Sequence, residues 1–174
     1  MTTDDGRGQD GVLYGRRVRL RPVRPSDAAR LLELRSTPEV RRWWGTPSDD
    51  DATSEDDTVR YVVEVGDRVV GLIQYAEEPD PMYRHAGVDL YLDPQVHGQG
   101  LGQDAVRTVA RYLFEVLGHH RLVIDPAAEN TRAISTYSAV GFRAVGVLRA
   151  YERDADGSGW HDGLLMDLLR PELT

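Results

Sequence analysis

Apolar and polar residues change period several times along the chain, and each change marks an element. Val18 and Leu20 alternate with Arg17, Arg19 and Arg21, which predicts a first strand ending at Pro22. Ser26 and Asp27 supply N-cap chemistry for a helix with Leu31, Leu32 and Leu34 on one side. Thr37-Pro38-Glu39 opens a second short helix, with a cap, a first-turn Pro and an acid at the positive dipole end, leading into Trp43-Trp44-Gly45. Val59–Val65 and Arg68–Tyr75 flank Gly66-Asp67 and read as a hairpin. Val88–Leu92 is a strand with Val88, Leu90 and Leu92 on one face and Asp89 and Tyr91 on the other. Leu101, Ala105, Val109, Leu113 and Val116 recur at helical spacing up to Gly118. Leu122-Val123-Ile124 is a short buried strand. Asn130 caps a helix with Ile134, Tyr137 and Val140 that stops at Gly141. Two final strands, from about Phe142 to Arg153 and Trp160 to Leu169, meet at Asp156-Gly157. The pattern predicts one mixed α/β sheet with helices on both faces, a loose tail over residues 1–11 and a single domain over 12–174.

Composition narrows the chemistry. The chain has 174 residues and a formal charge of −8; all 21 basic residues are Arg, and Lys and Cys are absent. That removes the P-loop lysine, the Schiff-base lysine, the thiol nucleophile and Cys-ligated metals. The five histidines lack metal-ligand spacing, so no metal site is expected. Gly157-Ser158-Gly159 is a hairpin turn and not a nucleophile elbow. The acidic balance argues against nucleic-acid binding and suits a cationic small ligand. No apolar run is long enough to span a bilayer and the N-terminus lacks a signal-peptide pattern, so a cytoplasmic protein, monomeric or homodimeric, is the expectation.

The most informative stretch is Gln95-Val96-His97-Gly98-Gln99-Gly100-Leu101-Gly102, between a strand and a long helix. Glycines there bring several N–H groups to one point, and the helix N-terminus adds partial positive charge, which together suit a pyrophosphate. Without Lys, help would come from Arg107 or Arg132. The spacing is not G-x-G-x-x-G, and a doubly wound dinucleotide fold has no room beyond it. As a lone motif the stretch is also explained by a tight strand-to-helix connection.

Gln95-x-x-Gly98-x-Gly100, followed by Asn130-x-x-Ala133-Ile134-x-x-Tyr137-x-x-x-Gly141-Phe142, closely resembles the GNAT superfamily of acetyl-CoA-dependent N-acetyltransferases, over roughly residues 17–170. The resemblance implies a mostly antiparallel six- to seven-stranded sheet with a central splay and about four helices. It implies a coenzyme A pyrophosphate held by backbone amides of Val96, His97, Gly98, Gly100, Leu101 and Gly102, after Gln95. It also implies a pantetheine arm paired along Leu90, Tyr91 and Leu92, with the strand splaying at a bulge and one peptide N–H polarising the thioester. Asn130, Arg132 and Ala133 fall where the family meets the cofactor, and Tyr137 where it often protonates the departing thiolate.

An ammonium acceptor must lose a proton before it attacks. Asp89, beside the expected splay, is the candidate base or ammonium anchor, and Asp125 its neighbour. Within the family, Trp43-Trp44, Asp89 and Asp125 look most like aminoglycoside 6′-N-acetyltransferases, with indole faces for a sugar ring and carboxylates for its ammonium groups. The acidic loop 49–57 offers further anions. The segments Gly159–Gly163 and Leu169–Leu173 look equally like the branch acting on protein N-termini, such as those of ribosomal proteins, and on polyamines. A non-catalytic acyl-CoA sensor is the alternative of a different class.

Overall fold

The computed structural model describes residues 11–48 and 56–174. Strands β1 (Leu13–Tyr14) and β2 (Arg19–Pro22) precede helices α1 (Ala28–Arg35) and α2 (Pro38–Trp44). Next come β3 (Val59–Val65), β4 (Arg68–Glu78), β5 (His85–Leu92) and α3 (Leu101–Glu115). The chain closes with β6 (Arg121–Ile124), α4 (Thr131–Val140), β7 (Arg143–Arg153) and β8 (Trp160–Leu169). One eight-stranded sheet runs β1-β2-β3-β4-β5-β6-β8-β7, antiparallel except between β5 and β6. The strand beyond the expected number is β1, too short for any periodicity to reveal.

The α3–α4 side carries the larger core, including Ile73, Val88, Val109, Leu113, Ile124 and Met166. On the other side Leu31, Leu34 and Val40 of α1 and α2 cover Val62, Leu72 and Tyr91. Asp104, in the first turn of α3, is buried and accepts the peptide N–H groups of Arg16, Arg17 and Val18 at 3.0, 2.7 and 3.0 Å. One carboxylate therefore ties the β1–β2 hairpin to the helix. Asp27 does not cap α1 as expected. Its oxygens accept both terminal nitrogens of the buried Arg21 at 2.8 Å and the Arg24 N–H at 2.7 Å, while Arg21 Nε reaches Glu64 at 2.7 Å. A buried guanidinium outweighs a helix end as a partner, and it holds the Asp27 carboxyl below its usual pKa.

The splay forms between β5 and β6. Those strands pair only at Ala86–Leu122 and Gly87–Val123, whereas β5 stays paired with β4 as far as Leu92. The register of β5 on β4 is unbroken, so the expected bulge in β5 is not the cause. β6 is the strand that leaves. Pro126 has no N–H to continue the ladder, and the chain stays with β8 instead: Leu164 N donates to Pro126 O and Ala128 N to Asp162 O, both at 2.8 Å. One edge of β5 beyond Gly87 is left without a strand partner among the described residues.

Candidate active site

The splay opens into a cavity of about 870 Å³. Leu90, Tyr91 and Leu92 line it from β5, Gly102 from α3, and Asn130, Arg132, Ala133 and Tyr137 from the start and face of α4. Asp89, Asp125, Trp43 and Trp44 line it too, so the structure brings together most of the residues singled out in the sequence.

The turn before α3 works differently from the expectation in one respect. Val96 and His97 donate their N–H groups back to Asp93 O and Pro94 O, at 3.0 and 3.2 Å, and the Gln95 N–H goes to the Asp93 carboxylate at 3.0 Å. A 3-10 turn at Pro94–Val96 consumes those donors, so Val96 and His97 are not available as backbone pyrophosphate ligands. The Val96 and Leu101 side chains are buried. The N–H groups of residues 98–103 meet no acceptor among the described residues, and the Asp104 N–H is the first to find one, Gly100 O at 3.1 Å, as the start of a helix requires. Gly98 and Gly100 have φ of +75° and +77°, and a Cβ at either would touch nothing, so left-handed backbone is their reason for being glycine.

Cationic help comes from one side only. Arg107 is committed to the carbonyls of Ala139 and Thr174. Arg132 instead meets His97 Nδ1 over the cavity, while His97 Nε2 lies 3.2 Å from Leu92 O. Burial and then the Arg132 charge lower the His97 pKa, so the ring is neutral, accepting from Arg132 and donating to Leu92 O. Asn130 takes the cap role, its Oδ1 accepting the Ala133 N–H at 3.2 Å, which leaves its NH2 directed by no partner among the described residues. An unpaired strand edge, free N–H groups at a helix start and an Arg on the rim fit the arm and phosphates of coenzyme A.

Two buried-site effects set the proton chemistry. The Asp89 carboxylate faces the cavity and stays open to the solvent within it; the protein packed around it, then the Asp125 charge, push its pKa up to about 7. The Leu90 N–H donates to Asp89 Oδ1 at 3.0 Å. Tyr137 is buried against Phe142, with ring centroids 6.1 Å apart. Its phenol is pushed well above the ordinary tyrosine range by burial and then by Asp89 and Asp125. It is therefore a neutral donor at any physiological pH.

The paired tryptophans divide. Trp44 packs edge-on to Tyr91 at 4.9 Å with the Arg35 guanidinium 5.3 Å from its ring, and belongs mainly to the smaller core. Trp43 is covered by Arg42, 4.4 Å over its ring, and Arg42 in turn approaches Glu129 at 4.0 Å. The cavity also receives residues that the sequence did not mark: Glu39, Glu129, Tyr151 and Glu152. Glu39 and Glu129 lie near motifs already chosen. Tyr151 and Glu152 lie on β7, where no periodicity points inward. Of the acidic loop 49–57, residues 49–55 lie outside the described residues, and Asp56 is paired with Arg60 at 2.7 Å. Residues 1–10 of the expected tail likewise lie outside them.

Known proteins resemble this chain in sequence and in fold. The Acetyltransferase (GNAT) domain matches residues 17–143. Spermidine N(1)-acetyltransferase of Escherichia coli (strain K12) is 28% identical over 141 residues, 75% of each chain. Aminoglycoside N(6′)-acetyltransferase type 1 of Klebsiella pneumoniae is 26% identical over 155 residues, 75% of this chain and 76% of the relative. The structure of Mycobacterium smegmatis RimJ in complex with CoA-disulfide superposes with a TM-score of 0.81 at 22% identity, covering 95% of this chain and 90% of that one, a likeness of fold. This chain belongs to the GNAT acetyltransferase family. It is an N-acetyltransferase that uses acetyl-CoA. Among the described residues no helix is long and apolar enough to cross a membrane.

Proposed function

We propose that the chain acetylates a primary amine of a polycationic small molecule by direct attack within a ternary complex. One observation carries this reading: Glu39, Asp89, Asp125, Glu129 and Glu152 converge on the cavity that also holds the free edge of β5. With no Cys in the chain, there is no thiol to carry the acyl group. Acetyl-CoA supplies the activated acyl group. The Leu90 N–H, once Asp89 turns from it to the ammonium, is the peptide hydrogen that stabilises the oxyanion. Asp89 takes the ammonium proton, since a base poised near neutrality matches the task. Tyr137 donates a hydrogen bond to the departing thiolate. A bound cation offsets the Asp89 and Asp125 charges that raise its pKa, so the phenol becomes a better acid when acceptor is present.

Aminoglycosides and polyamines both meet the charge requirement, and both classes are named among the relatives. The sugar reading relied on two indole faces, and Trp44 is largely spent on Tyr91. That favours testing linear polyamines on equal terms. A thiol-release assay with acetyl-CoA over aminoglycosides, polyamines and N-terminal peptides decides. Turnover with amines of two or more charges supports the reading. Turnover only with singly charged peptide amines overturns it, and tight coenzyme A binding with no turnover on any of them favours a sensor.

A further inference from the structure

Between Leu148–Gly163 and Glu152–His161, the β7–β8 ladder loses its register: Arg149, Ala150 and Tyr151 together oppose the single residue Asp162. Ala150 has φ of +46°, the one non-glycine residue with positive φ among the described residues, and its N–H is clamped by Asp162 Oδ1 at 2.7 Å. An L residue adopts that backbone at a cost, and a three-residue bulge re-aims the side chain that follows it. Here that side chain is Tyr151. Its ring lies against Gly163, where a Cβ would come within 2.9 Å of Tyr151 Cδ1, so the glycine makes room for it. Tyr151 and Asp125 line the same cavity, and the Asp125 carboxylate beside the Tyr151 hydroxyl pushes the phenol up to about 12. Bulge, clamp and glycine thus serve one contact across the cavity.

That contact makes the two carboxylates unequal. Asp125 has a side-chain donor, the Tyr151 hydroxyl, beside it, whereas Asp89 has only the adjacent Leu90 N–H. Tyr151 also stands with Asp89 and Asp125 between the main cavity and a smaller chamber of about 320 Å³ over the sheet, lined further by Thr58, Gln74, Leu148 and Leu165. The other charged groups facing the pair are Glu152, which lies 3.4 Å from His161, and Arg35.

We infer that Tyr151 is a positioning residue for the acceptor: its hydroxyl holds Asp125 as the fixed ammonium anchor and leaves Asp89 as the carboxylate that takes the proton. The inference rests on the acceptor reading above and assigns its parts. Without Tyr151, the Asp125 carboxylate is free to turn toward Asp89, and the Asp89 ionisation moves to higher pH, because a nearer like charge disfavours its charged form.

The test uses the full chain with whichever amine of the panel it turns over. Tyr151→Phe should raise the acceptor KM about tenfold and change kcat less than about threefold, with the coenzyme A Kd unchanged by calorimetry. The acid limb of kcat/KM against pH should move up by about half a unit or more. Gly163→Ala, which pushes the ring aside, should reproduce both effects, and the double variant should be no worse than either single one. Ala150→Gly, which accommodates the same φ without strain, should keep wild-type kinetics and melting temperature. If Tyr151→Phe retains wild-type KM and limb, the inference is overturned while the acceptor reading stands. If Gly163→Ala is silent where Tyr151→Phe is not, the bulge is not the device. If the wild type accepts no amine, the acceptor reading fails and takes this inference with it.

Discussion

An ordinary aspartate is fully ionised by pH 6, but Asp89 at about 7 is not. Its ionised share should be about one-hundredth at pH 5, one-tenth at pH 6, one-half at pH 7 and nine-tenths at pH 8, from the definition of pKa. If Asp89 accepts the ammonium proton, kcat/KM for the amine, which reports the free enzyme, climbs roughly tenfold per unit from pH 5 to 6 and levels near pH 8. Asp89→Asn should erase that limb and lower kcat by about 10²- to 10⁴-fold, the usual contribution of a positioned base. Thiol release measured across pH 5.5–8.5 checks both variants, and carboxyl carbon NMR of the unliganded protein checks the group itself. Linkage supplies a second, independent sign. The folded-state pKa lies above the unfolded one near 4, so the folded state binds more protons between pH 4 and 7 and stability falls as pH rises through that window. Asp89→Asn should therefore melt at or above the wild type at pH 8, with the gap closing below pH 4. A profile flat from pH 5.5 to 8, or a limb that survives in Asp89→Asn, refutes the reasoning.

Tyr137→Phe should reduce kcat with little change in coenzyme A affinity, since the phenol lies on the wall of the cavity and is proposed to serve the leaving group; equal turnover would remove it from the reaction. Arg21→Met leaves the buried Asp27 carboxylate with only the Arg24 N–H, while Glu64 keeps Arg19, and should cost about 3–5 kcal/mol in urea unfolding. Because the Asp27 pKa is depressed, its share of stability is present above the unfolded value near 4 and is lost as pH falls below it; the wild type should lose stability there faster than the variant. Asp104→Ala leaves three N–H groups unsatisfied and should cost about 3 kcal/mol or more, with hydrogen exchange rising first at residues 16–18.

Much of the fold and half of the site were legible because they are local. The hairpin at Gly66-Asp67, the Asn130 cap, the Gly141 stop and the glycines at 98 and 100 each express a backbone requirement that one or two residues satisfy. The alternation in β5 placed Asp89 opposite Val88 and Leu90, and the structure keeps it there. Where reading failed, a distant partner had intervened. Asp27 looked like a cap until Arg21 claimed it, and Val96 and His97 looked like phosphate donors until the turn itself used their N–H groups. Trp44 carries no mark distinguishing a core indole from a ligand platform; only Tyr91 beneath it decides.

The amino-acid sequence by itself determined the order of elements, the strand–turn–helix proposed to meet coenzyme A, and the identity of the carboxylate and phenol proposed for the chemistry, because periodicity and caps act over a few residues. Only the tertiary structure decided that β6 abandons β5 for β8, that a bulge at Ala150 sets Tyr151 on the cavity wall with Asp125, and that Asp89 shares that cavity with Asp125. Those outcomes depend on strand pairing, on space vacated by Gly163 and on charges brought together from distant parts of the chain, and none of these is a property of neighbours along the chain.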